Sequence, residues 1–281
     1  MELWYTERQT DGVALSCKVI QTLHSEKTPF QRLDVIETVP YGRMLVLDGM
    51  VQTTEADEFV YHEMIVHVAM QTHPEPRRVA VVGGGDGGAV REVLKYRSVE
   101  NVTLIEIDER VVWASRRFFP QLSKGLDDPR VECVFADGIR HIQENKGAYD
   151  VIIVDSTEPV GPAVGLFSRN FYVSCYESLT DHGVLVAQTE SPFFNRDLIE
   201  KAFAAISSVF PVSRLYLASI PTYPSGLWSF SLGSKRRDPL EVTPNLDGIP
   251  TRYYTEGVHH AAFQLPRFVQ EIVAKATKGG E

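Results

Sequence analysis

The sequence predicts an α/β protein in which a Rossmann-like, doubly wound sheet follows a small N-terminal antiparallel β domain. Three observations carry this expectation. The stretch Val79–Gly88, VAVVGGGDGG, is a short apolar strand running into a glycine-rich turn, and a helical pattern follows at Ala89–Tyr96. That is the opening unit of a nucleotide-binding βαβ fold. From Val79 onward, strand and helix signals alternate along the chain. Before it, residues 1–53 are instead rich in β-formers and turn pairs.

In that first part, Val13–Leu23, Gln31–Val39 and Met44–Leu47 alternate or run apolar, with turns at Tyr41-Gly42 and Asp48-Gly49. Asp57–Gln71 reads as a helix with Val60, Met64 and Val68 on one stripe. The connector HPEPRR, His73–Arg78, separates this region from the alternating one. Grouping the helix with the alternating region gives a β domain over 1–56 and a Rossmann-like domain over 57–281. Within the second, strands are expected at Val102–Ile107, Val131–Phe135, Tyr149–Val154 and Gly183–Gln188. Helices are expected at Glu109–Phe119, Ile139–Asn145, Ser168–Ser178 and Arg196–Ser207. Tyr149–Val154 is almost purely apolar, as a strand covered on both faces must be. Ser213–Ala218 and Gly226–Gly233, joined by IPTYPSG, read as a terminal antiparallel hairpin, with a last helix near Arg267–Lys275.

Composition narrows the functions. Of 281 residues, 43% are hydrophobic and 23% charged, ordinary values for a globular chain. The net charge of −9 disfavours nucleic acid and anionic membranes as partners, while leaving a cationic substrate unopposed. No apolar run is long enough to cross a bilayer and MELWYTERQT lacks a signal-peptide pattern, so a cytoplasmic protein is expected. Cys17, Cys133 and Cys175 are odd in number and far apart, which predicts reduced thiols and no zinc site. His62 and His67 are spaced too widely for an HExxH pair, so no metal is expected.

The glycine loop contains one acid, Asp86. A dinucleotide site offers bare N–H groups to a pyrophosphate there, and a carboxylate would repel that anion. The loop thus suits a nucleoside whose tail is positive, such as a sulfonium carrying an amine, better than NAD. Other candidates stand where strands end. Glu106 lies 23 residues past Gly83 and is either a ribose ligand or a solvated carboxylate; Asp108 reads as a helix cap. Asp137, before Gly138, is either an N-cap or an acceptor for an adenine amine. Asp155 ends the apolar strand, where poor solvation raises a carboxyl toward the range of a general base. Glu158 comes three residues later, and two acids so close make a cation pocket. Thr157–Gly165, with Pro159 and Pro162, reads as a mobile lid. Tyr223 is either a turn aromatic or a substrate wall, and Tyr61 and His62 either pack in the core or line the site.

These segments also carry a resemblance. GGGDGGAVREVLKY, LIEIDE, FADG, VDSTEPVGPA, IPTYPSGLWSF, LVLDGMVQTTEADEFVYHEM and WYTE resemble the spermidine synthases, or polyamine aminopropyltransferases, of bacteria, from Trp4 to about Phe268. The resemblance implies a methyltransferase-type Rossmann-like sheet and transfer of the aminopropyl group of decarboxylated S-adenosylmethionine to putrescine, giving spermidine and 5′-methylthioadenosine. It implies that the loop with Gly83 and Gly85 receives the nucleoside, that Gln31 and Glu106 hold it, and that Asp137 and Gly138 meet the adenine with Pro162 against it. Asp86 would bind the aminopropyl amine, and Tyr61 and His62 would line the space between the two substrates. Asp155 would accept the proton, and Glu158, Gln188, Tyr223 and Trp4 would form the diamine pocket. Some relatives carry Asp at the position of Glu158; the longer side chain keeps the charge and shortens the pocket. No cofactor or metal is implied, and the family's homodimers or tetramers make the N-terminal β segment a natural contact. Two rivals remain. One is a putrescine N-methyltransferase-like enzyme, against which Asp86 speaks because intact S-adenosylmethionine has a carboxylate on that tail. The other is a non-catalytic nucleoside-binding regulatory paralogue.

Overall fold

The computed structural model describes residues 2–156 and 161–278. The N-terminal region is a five-stranded antiparallel meander of β1 (Leu3–Arg8), β2 (Ala14–Lys27), β3 (Arg32–Thr38), β4 (Gly42–Leu47) and β5 (Met50–Thr54), paired in chain order. Strands β1 and β5 were not legible in the sequence. The β4–β5 turn has positive φ at Asp48 (49°) and Gly49 (83°), the backbone that a two-residue hairpin requires. Asp48 Oδ1 also accepts the backbone N–H of Arg32 at 2.8 Å, which ties that turn to β3.

Alternation divides this sheet into two faces. Leu33, Val35, Leu45 and Leu47 point toward the second domain and share a core with Val111, Ala114, Phe119 and Leu122. Ile36, Met44, Val46 and Cys17 pack together on the other face. Each fully buried Leu or Val contributes roughly 1.5–3 kcal/mol, so the shared core binds the two sheets firmly.

Next, α1 (Glu58–Thr72) is buried on nearly all sides, not on a single stripe, because it runs between α2 and the strands of the second sheet. The second sheet has the order β11-β12-β10-β9-β6-β7-β8. Its parallel strands are β6 (Arg78–Gly83), β7 (Asn101–Glu106), β8 (Val131–Phe135), β9 (Tyr149–Asp155) and β10 (Leu179–Gln188). The expected hairpin, β11 (Val212–Ser219) and β12 (Leu227–Ser234), adds antiparallel to β10. Around the sheet lie α2 (Gly88–Val93), α3 (Glu109–Phe118), α4 (Pro120–Ser123), α5 (Gly138–Glu144), α6 (Arg169–Ser178), α7 (Arg196–Ser207), α8 (Glu256–Ala262) and α9 (Arg267–Lys278). Helix α2 is shorter than its sequence pattern, and β10 starts earlier, through a register irregularity between Leu179 and Val184.

Successive residues of the central strands serve opposite cores. Val79, Val81, Val151 and Ile153 pack on the α1 side; Ala80, Val82, Ile152 and Val154 pack on the α6 side. This double coverage explains their unbroken apolar composition. Strands β6 and β9 are neighbours although far apart in sequence, and Gly83 pairs in register with Asp155. Here the strand order reverses, and a crevice opens at the carboxyl ends. Among the described residues no helix is long and apolar enough to cross a membrane.

Candidate active site

A cavity of about 220 Å³ occupies that crevice, floored by the glycine loop and roofed by the N-terminal domain. The loop backbone is shaped for close approach. Gly83 has φ +79° and a Cβ there would lie 2.2 Å from the carbonyl oxygen of Asp155; at Gly85 it would lie 2.8 Å from Glu106 Oε2. Gly83→Ala is therefore expected to lower stability by more than about 2 kcal/mol, since left-handed backbone alone costs about 1–2 kcal/mol for an L residue. Urea unfolding of the variant checks this.

Glu106, at the end of β7, is buried and takes the backbone N–H of Asp108 at 3.0 Å. Burial pushes its carboxyl up to about 7, against the opposing pull of the backbone N–H groups of Asp108, Ile107 and Gly85. Asp108 is the cap that the sequence suggested, accepting from Arg110 N–H, and it also binds Thr28 Oγ1 at 2.7 Å and Gln31 Nε2 at 3.0 Å. Gln31 is thereby fixed at the cavity edge from the N-terminal domain. Asp137 is the N-cap of α5, through the N–H of Ile139 at 2.8 Å, and it also lines the cavity with Gly138.

Deeper in, Asp155 Oδ1 accepts the hydroxyl of Tyr61 at 2.6 Å. Burial, and next the charge of Asp86, raise its carboxyl to about 6, although His62 and Tyr61 pull the other way. Asp86 is itself buried; Oδ1 accepts Gly88 N–H at 2.8 Å and Oδ2 lies 3.3 Å from His62 Nε2. Tyr61 packs against Tyr223, which packs edge-on to Trp228. Gln188, at the end of β10, reaches the carbonyl of Ser156 at 3.1 Å. Gly83, Gly85, Asp86, Glu106, Asp137, Gly138, Gln31, Tyr61, His62, Asp155, Gln188 and Tyr223 all line this one cavity.

Three of the expected residues stand apart. Trp4 does not line the cavity of this chain: along β1 the buried residue is Glu7, and Trp4, three positions earlier, points out, 56% exposed. Glu158 lies outside the described residues, as does Thr157–Val160 of the expected lid. Of Pro162 only its place in the 3-10 turn Gly161–Phe167 is described.

The structure also adds cavity residues that sequence reading missed. Glu7 comes from β1, where Oε1 accepts the N–H of Val51 at 2.9 Å. Glu190, fully buried with φ +73°, lies just past the end of β10 and is subject to the same strand-end rule that found Asp155. Asp57 acts behind the wall. Its carboxylate takes Thr54 Oγ1 at 2.6 Å and the N–H and hydroxyl of Thr222 at 3.0 and 2.7 Å. Tyr223 donates to the carbonyl of Gln52 at 2.6 Å. The turn that carries Tyr223 is thus tied to the N-terminal domain.

Comparison with known proteins agrees with this architecture. Residues 58–243 match the family described as the spermine/spermidine synthase domain, and residues 3–55 match the spermidine synthase tetramerisation domain. The chain is 56% identical to a polyamine aminopropyltransferase of Desulforudis audaxviator over 272 residues, 96% of this chain and 99% of that one. It superposes on a crystal structure of spermidine synthase in complex with the transition-state analogue AdoDATO with a TM-score of 0.95 and 44% identity, covering 97% and 95% of the two chains. For the spermidine synthase of Thermotoga maritima the TM-score is 0.92 at 42% identity, covering 97% and 94%. Sequence, fold and site arrangement converge: the chain belongs to the spermine/spermidine synthase family and is an aminopropyl-transferring enzyme.

Proposed function

We propose that this enzyme moves the aminopropyl group of decarboxylated S-adenosylmethionine to putrescine, giving spermidine and 5′-methylthioadenosine. The observation that carries this reading is a pair of carboxylates, buried Asp86 and part-buried Asp155, facing one cavity from neighbouring strand ends. The donor tail ends in an ammonium, which Asp86 pairs with. The attacking amine has an ordinary pKa near 10, as lysine does, so it arrives protonated and needs an acceptor. Asp155, raised to about 6, is that acceptor.

In the step itself the amine nitrogen attacks the methylene beside sulfur. Asp155 first takes one proton from the ammonium and frees the nitrogen lone pair. The C–N bond then forms, the C–S bond breaks with its electron pair going to sulfur as a neutral thioether, and the product nitrogen is left as a secondary ammonium. Gln31 and Glu106 hold the nucleoside, with Glu106 on the ribose, and Asp137 and Gly138 meet the adenine with Pro162 against it. Tyr61 and His62 lie between the substrates. Gln188, Tyr223 and, by resemblance, Glu158 form the diamine end, where Glu7 and Glu190 add negative potential. Orientation in this enclosed site supplies much of the rate, with the donor as co-substrate and no cofactor or metal in the scheme.

The same reading places the domain boundary between residues 56 and 57. It makes the protein a cytoplasmic homo-oligomer, dimer or tetramer, joined through the N-terminal sheet, with no nucleic-acid or membrane partner. Exposed Leu3, Trp4, Ile20 and Val39 in that region support the contact.

Product analysis by mass spectrometry tests the assignment. Spermidine and methylthioadenosine are expected from decarboxylated donor with putrescine, in a panel with cadaverine, spermidine and agmatine. Turnover only with intact S-adenosylmethionine would overturn it. A pH profile adds a second check. Because Asp155 must be ionised to accept the proton, kcat/KM is expected to fall about tenfold per pH unit once the pH drops below about 6.

A further inference from the structure

Both ring nitrogens of His62 face carboxylates. Nδ1 lies 2.6 Å from Glu58 Oε2, one turn earlier on α1, and Nε2 lies 3.3 Å from Asp86 Oδ2 in the glycine loop. A neutral imidazole has one N–H and one lone pair, so either tautomer would set a lone pair against a carboxylate oxygen. Only the imidazolium donates on both sides. Behind Glu58, Arg91 of α2 closes the arrangement with two parallel contacts of 2.9 Å to Oε1 and Oε2. Its Nε contacts Glu92 at 2.9 Å. That fork fixes the Glu58 carboxylate in direction as well as in charge. Gly88 allows the ring its place, since a Cβ there would lie 2.2 Å from His62 Cε1. The result is a buried line of alternating sign, Arg91–Glu58–His62–Asp86, running from α2 to the wall of the cavity.

From this line we infer that Glu58 and Arg91 are positioning residues of the reaction: they hold His62 as an imidazolium, which orients Asp86 and offsets its repulsion of Asp155. The charged groups around both sites bear this out. His62 is faced by Glu58 from α1 and by Asp86 from the loop, with the Tyr61 ring edge-on at 5.4 Å. Burial opposes its charge, but Asp86 and Glu58 outweigh burial and hold it well above the ordinary histidine range. Asp155 is faced by Asp86, which raises its carboxyl, and by His62 and Tyr61, which lower it. Loss of the charge on His62 removes the counterweight, and Asp155 becomes harder to ionise. A line that merely stitched α1 to α2 would leave the proton affinities of His62 and Asp155 untouched.

The kinetic part of this inference rests on the aminopropyl-transfer reading; the protonation part does not. The test follows His62 by NMR of the full-length protein with 13Cε1-labelled histidine, the resonance being assigned by its loss in His62→Gln. Wild type is compared with Glu58→Gln, with the double variant Glu58→Gln/Arg91→Gln, which leaves no unpaired buried guanidinium, and with Arg91→Lys, which keeps the cation without the fork. Wild-type His62 is expected to remain imidazolium from about pH 6 to pH 8, where an unperturbed histidine titrates. The Glu58 variants are expected to titrate inside that window, and Arg91→Lys to move the same way by less. In step, the acid limb of kcat/KM is expected to rise by about half a pH unit or more in the Glu58 variants, with kcat on the plateau changing far less. A neutral His62 in wild type at pH 7 overturns the inference. So does any folded variant, Arg91→Lys included, in which both the His62 titration and the acid limb are unchanged. If no aminopropyl transfer is found at all, the His62 titrations still decide whether Glu58 and Arg91 set its charge.

Discussion

Asp155→Asn is expected to lower kcat by about two to four orders of magnitude, the range that a positioned general base contributes. The amide is nearly isosteric and can still accept from Tyr61, so the geometry at the end of β9 survives. It cannot take a proton. Donor affinity, measured by calorimetry, should stay within a few-fold of wild type, and the acid limb near pH 6 should vanish from what activity remains. Unchanged turnover would remove Asp155 from the base role. Loss of donor binding together with turnover would make it a binding residue only.

The second large effect is on ligand choice. Asp86→Asn is expected to weaken decarboxylated S-adenosylmethionine by about 10- to 100-fold, as removal of a charged hydrogen-bond partner costs roughly 1.5–3 kcal/mol. Methylthioadenosine, which has no tail amine, should change by less than about threefold. The same substitution should narrow the preference for decarboxylated over intact donor, whose tail carboxylate Asp86 repels. Equal losses for both nucleosides would mean that Asp86 only shapes the loop through its bond to Gly88.

The parts of the molecule legible in the sequence are those with local causes. Strands β6 and β9 announce themselves because both of their faces are covered, and the glycine loop because its backbone must approach Asp155 and Glu106. Acids at strand ends were found by a rule about where such sheets bind ligands, and Glu106, Asp137 and Asp155 line one cavity. What stayed hidden depends on partners far along the chain. Asp57 meets Thr222 and Glu58 meets Arg91, pairings with no periodic signature. Strand β1 is short, and the face it presents is set by pairing with β2, which turns Glu7 inward and Trp4 out. Strand β5 is defined mainly by its hairpin with β4, across the turn whose Asp48-Gly49 signal was visible without it.

The tie between the Tyr223 turn and the N-terminal domain has a consequence for how the protein unfolds. Asp57, Thr222 and the Tyr223–Gln52 bond, together with the core shared by β3, β4, α3 and α4, leave the N-terminal sheet no independent melting route. Local opening of that sheet exposes Leu33, Val35, Leu45 and Leu47 and at once frees one wall of the cavity. Amides of β3 and β4 are therefore expected to exchange with solvent at rates like those of β6 and β9, which native-state hydrogen exchange measures. A ligand that fills the cavity is expected to slow exchange in both sheets, although most of the lining residues belong to one of them.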